Sequence, residues 1–115
     1  MDTNTEKIKM LHEAVHEMAM LLQDSNENPV SLSLYLLDLG ITDSKVKDKL
    51  IKKTFELVHN AQDPMALTVH DFQKEFHKIS NLITDDPDAT GATHYIVLWI
   101  GMHLIPRVYP VAMNL

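Results

Sequence analysis

The chain has 115 residues, 23% of them charged, and a formal net charge of −6. That length suits one domain able to bury a core without staples. It holds no cysteine, which excludes a disulfide framework and thiolate chemistry and fits a reducing, cytoplasmic setting. The acidic balance argues against nucleic acid as a main partner. Protonating all seven histidines would turn −6 into +1, so the sign of the net charge changes around pH 6. Ordinary surface histidines are the expectation, with a pH sensor as the alternative.

The opening MDTNTEKIKM is polar and mixed in charge, unlike a secretory leader. A first helix is predicted over 6–23, because Ile8, Leu11, Val15, Met18 and Leu22 recur at spacings of three and four. One narrow stripe implies one covered side, so this helix belongs on the outside. A second is predicted over 29–39, with Asn28 as N-cap, Pro29 in the first turn and Gly40 ending it. Val30, Leu32 and Leu34 alternate with serines, which is a competing strand signal.

A third helix is predicted over 43–61, with Thr42 as N-cap. It carries two apolar stripes, one through Val46, Leu50, Thr54, Leu57 and Ala61, the other through Ile51, Phe55 and Val58. Two stripes imply two neighbours. A fourth, over 69–83, opens on Thr68 and Asp71 as a capping box and carries Val69, Phe72, Phe76, Ile79 and Ile83 at helical spacing. An acidic turn-rich loop follows. The fifth helix, 93–105, contains HYIVLWIGMHLI, which has no formally charged side chain and is apolar on every side. Such a helix must be buried on every side. At about 12 residues, against the roughly 20 a bilayer needs, it reads as a core helix. Pro106 stops it, and an apolar tail, 106–115, remains. The expected fold is all-α, a single domain of about five helices around this C-terminal one.

His12-Glu13-Ala14-Val15-His16 is an HExxH on a predicted helix. In zinc peptidases that spacing sets two imidazoles one turn apart with a carboxylate beside the metal-bound water. Here it begins eleven residues into the chain, and Glu13 lies opposite the apolar stripe. We therefore read it as incidental to catalysis, with no cofactor expected beyond an incidental divalent metal at His12 and His16. A metal-dependent hydrolase is the third-ranked reading.

Residues 31–53 have helix-turn-helix spacing, with Gly40 at the turn and Lys45, Lys49, Lys52 and Lys53 on the would-be recognition helix. Leu36 is bulky where the helices should approach, Asp43 and Asp48 would face phosphate, and arginine for guanine readout is lacking. A DNA-binding regulator is therefore the runner-up. His70 and His77 are expected on a solvated face, and Asp85, Asp86 and Asp88 match no calcium-loop pattern.

The leading expectation is a non-enzymatic interaction or regulatory protein that forms a homodimer. An apolar tail must fold over its own core or dock on another chain. The interface is expected at Trp99, Met102, Val108, Tyr109, Val111, Met113 and Leu115, by pairing of the fifth helix or the tail.

Overall fold

In the computed structural model, which describes residues 3–115, the apolar stretch forms α5 (Gly91–His103). Its Tyr95, Ile96, Val97, Leu98, Ile100 and Gly101 are all buried. The walls are α2 (Leu32–Asp38), α3 (Ser44–Asn60), α4 (Val69–Ile79) and the tail, and a 3₁₀ turn at Pro64–Ala66 joins α3 to α4. Helices are the only regular elements among the described residues, with no strand, and no helix among them is long and apolar enough to cross a membrane.

The tail is helical too. A 3₁₀ turn at Pro106–Val108 leads into α6 (Tyr109–Met113), which folds back along α5. Val108, Val111 and Ala112 enter the common core beside Leu32, Leu50, Phe72, Phe76 and Ile96. This corrects the expected interface: Val108 and Val111 are committed to this chain's own interior. Leu115 is half-buried, and Met102, Tyr109 and Met113 remain exposed. The reason is that α5 needs cover on every side, and its own tail is the nearest apolar segment.

Local chemistry sets the ends. Gly40, at φ +91°, closes α2; its N–H donates to the Leu37 carbonyl and that of Ile41 to Leu36, a glycine-terminated helix end. Thr68 and Asp71 form the reciprocal capping box at α4. Other boundaries move. Ser31, not Asn28, caps α2, its hydroxyl accepting from the Leu34 N–H, and Asp43, not Thr42, caps α3. Helix α4 ends at Ile79; Ile83 still reaches the core, from a turn whose carbonyl accepts the His77 Nδ1 hydrogen at 2.8 Å.

The shift in α2 has a tertiary cause. Residues 29–31 lie outside any helix because α5 holds them. The Trp99 indole donates to the Val30 carbonyl at 3.3 Å, His103 Nε2 to the Pro29 carbonyl at 2.8 Å, and the Tyr95 hydroxyl accepts from the Val30 N–H at 3.2 Å. These three rings sit four residues apart, one edge of an otherwise apolar helix. Tyr95 also stacks on Tyr35 at 3.9 Å and donates to the Asp24 carboxylate at 2.7 Å.

Tyr95→Phe keeps the ring and deletes this junction: Asp24 loses its hydroxyl donor and the Ser31 N–H its acceptor, while the Val30 N–H keeps its bond to Asp24. We expect a loss of about 1–3 kcal/mol, read as a lowered denaturant midpoint at unchanged slope. Burial first, and then the Asp24 carboxylate, push the Tyr95 hydroxyl up from 10.0 to about 12. A raised value means the fold favours the protonated phenol. Its contribution is complete below pH 10 and is lost as pH rises through about 12. Alkaline titration of stability should show that limb in the native chain and lose it in Tyr95→Phe.

Helix α1 (Thr3–Leu21) departs most from expectation. It lies on the outside, as its single stripe implied, but the stripe is uncovered. Only Ala19 of this helix is buried, and α1 has no extensive packing against another helix. The molecule is accordingly long, 54 × 28 × 25 Å. Polar bonds anchor the end of α1 instead: the Asn28 amide donates to the Leu22 and Gln23 carbonyls, and Asp24 accepts from the Val30 N–H. The core closes without α1 because α6 covers α5.

Candidate functional site

One turn of α1 separates His12 from His16 and puts both on one side, as their spacing of four dictates. The end of α2 brings Asp38 to meet them. His16 Nε2 lies 3.0 Å from one Asp38 carboxylate oxygen and 3.1 Å from the other, and His12 Nε2 lies 3.4 Å from the nearer oxygen. One ligand atom from each of the three residues falls within 4.8 Å of the others. All three side chains are between 40% and 45% exposed, so the cluster faces solvent.

His16 is oriented from behind. Its Nδ1 donates to the His12 carbonyl at 2.9 Å, which turns Nε2 toward the carboxylate. That backbone bond, followed by Asp38, holds the His16 pKa above the usual 6.5. The sign follows: the ion pair tethers α1 to α2 fully below the free-histidine value and weakens as pH rises through the raised one. Asp38 sits at the last residue of α2, the negative end of the helix dipole, where a carboxylate is disfavoured unless a cation faces it.

Beside the cluster runs an apolar groove of about 470 Å³ between α1 and α2, lined by Ile8, Leu11, His12, Val15, Leu34 and Leu37 among others. The α1 row borders it. Ile8 is 66% exposed, Leu11 65%, Val15 41%, Met18 62% and Leu22 62%.

The pair His12 and His16 was legible in the sequence, whereas Asp38, 22 residues beyond His16, was not singled out. The available signal was an acidic residue in the last turn of a helix ended by Gly40. Glu13 is exposed and lies outside the cluster.

On the would-be recognition helix, Lys45, Lys49 and Lys52 are exposed, but Lys53 pairs with Glu56 at 3.3 Å. Lys47 bonds the Ser33 hydroxyl at 2.9 Å and lies over the Trp99 ring. His70 and His77 do not share a bare solvated face: His70 Nε2 meets the Pro87 carbonyl, and His77 meets Ile83 and Asp85. The buried Gln73 amide donates to the Asp86 and Ala89 carbonyls, so the acidic loop is a braced turn.

Compared with protein-family models, curated proteins and solved structures, the chain matches none.

Proposed function

We propose that this is a non-enzymatic helical association protein, and that α1 is its contact surface, with a second copy of the chain as the occupant. The observation that carries the reading is the exposed row Ile8, Leu11, Val15, Met18 and Leu22. Its spacing is strictly three, four, three, four, the a and d positions of a heptad. Ile8 and Val15 then stand at a and Leu11 and Met18 at d, the combination that favours two parallel strands.

Such a face is self-complementary, so a two-fold pair buries it on both chains at once. Two heptads are short for a free-standing coiled coil, and Leu37, 46% exposed across the groove, extends the apolar surface onto α2. Ten partly exposed side chains contribute on the order of 10 kcal/mol, against an association cost of roughly 4–15 kcal/mol. The pair is therefore one that dilution dissociates.

Replacing both Leu11 and Val15 with Glu tests this, because neither side chain supports the monomer's core. We expect sedimentation at micromolar concentration to show a dimer for the native chain. The double variant should be a monomer of unchanged helicity. A native chain that stays monomeric overturns the proposal, as does a dimer that survives the double substitution.

A further inference from the structure

We propose that His12, His16 and Asp38 form a binding site for one divalent transition-metal ion of the zinc class, which clamps α1 onto the end of α2. The site does not depend on self-association, since one chain supplies all three ligands.

The donor set selects the ion. Two imidazoles with one carboxylate suit zinc, cobalt or nickel, whereas magnesium and calcium prefer all-oxygen shells. Bonds of about 2.0–2.2 Å in a tetrahedral site put neighbouring ligand atoms about 3.4 Å apart. The three ligand atoms already lie within 4.8 Å of one another, so small side-chain rotations close the remaining gap.

Three further features fit a ligand role. The His16 Nδ1 hydrogen is engaged by the His12 carbonyl at 2.9 Å, the backing that metal-bound histidines use to fix the tautomer and aim the other nitrogen. With Nδ1 as donor in a neutral ring, Nε2 carries a lone pair facing a carboxylate at 3.0 Å. Two electron-rich atoms at that distance need a cation between them, a proton or a metal ion. Asp38, at the disfavoured end of α2, needs the same cation. Exposure of all three side chains leaves room for water to complete the coordination shell.

The consequence is mechanical. Helix α1 lacks an apolar anchor along most of its length, so a metal bridge would fix its angle to the body.

The test uses tag-free full chain, stripped with chelator and titrated with Zn²⁺ against a chromophoric competitor. One ion per chain is expected. Asp38→Ala and His16→Ala should each weaken binding by at least about tenfold, with helicity unchanged because both side chains are exposed. His59→Ala, on α3 away from the cluster, should bind as the native chain does, and so should the Leu11→Glu, Val15→Glu variant. Zn²⁺, but not Mg²⁺, should slow amide exchange across α1. Absence of stoichiometric zinc overturns the site, as does binding that Asp38→Ala leaves unchanged, which would mean an adventitious histidine pair.

Discussion

Removing residues 106–115 is expected to unfold the chain. The tail places Val108, Val111 and Ala112 in the core at 0%, 2% and 9% exposure. Losing two fully buried valines costs about 3–6 kcal/mol in total. The deletion also strips cover from Ile100 and Leu98, which face the same cluster, and removes the Asn114 amide that donates to the Met65 carbonyl at 2.8 Å. Those losses rival the roughly 5–15 kcal/mol that a whole domain has to spare. A chain ending at Ile105 should show no cooperative thermal transition by circular dichroism. A sharp melt within a few degrees of the full chain would mean that α5 finds its cover elsewhere.

Gly101→Ala should destabilise the protein by about 3 kcal/mol, against the sign that helix propensity predicts. In an exposed helix this change gains about 1 kcal/mol. Here a Cβ on residue 101 would stand 2.7 Å from the Tyr109 Cα and 2.8 Å from its nitrogen. Both are backbone atoms and cannot rotate aside, so α6 must lift from α5. Gly91→Ala is the control, because its nearest contact would be the Asn26 amide at an ordinary 3.7 Å. That variant should stay within about 0.5 kcal/mol of the native chain. Chemical denaturation of both variants decides the matter, and a neutral Gly101→Ala would mean that the α5–α6 contact is looser than these distances.

The close approach at Gly101 shows what could not be read in advance. A glycine inside an apolar helix reads as a small weakness in that helix, and only the returning backbone of α6 gives it a purpose. The same holds for Tyr95, Trp99 and His103. Their spacing was visible, but the 29–31 backbone that they bind is separated from them by more than sixty residues, and no local pattern encodes such a meeting.

Local rules did determine much. An all-round apolar helix had to be central, so α5 was legible as the axis of an all-α fold. Gly40 and the Thr68–Asp71 pair end and begin helices through bonds within a few residues, and such bonds depend on sequence alone. The four-residue spacing of His12 and His16 likewise guaranteed a shared side.

Tertiary structure decided which apolar surfaces meet. The sequence offered the stripes of α1 and α4 and the tail as coverings for α5, and hydrophobic attraction is non-directional, so composition could not rank α1 against the tail. Chain geometry did: the tail continues directly from α5 across Pro106 and folds back along it, a short loop with little closure entropy. The α1 row was thereby left in solvent, and the turn at 22–31 that holds α1 in place carried Asp38 to the two histidines. Periodicity shows that a face is apolar; which partner covers it depends on packing among segments far apart in the chain.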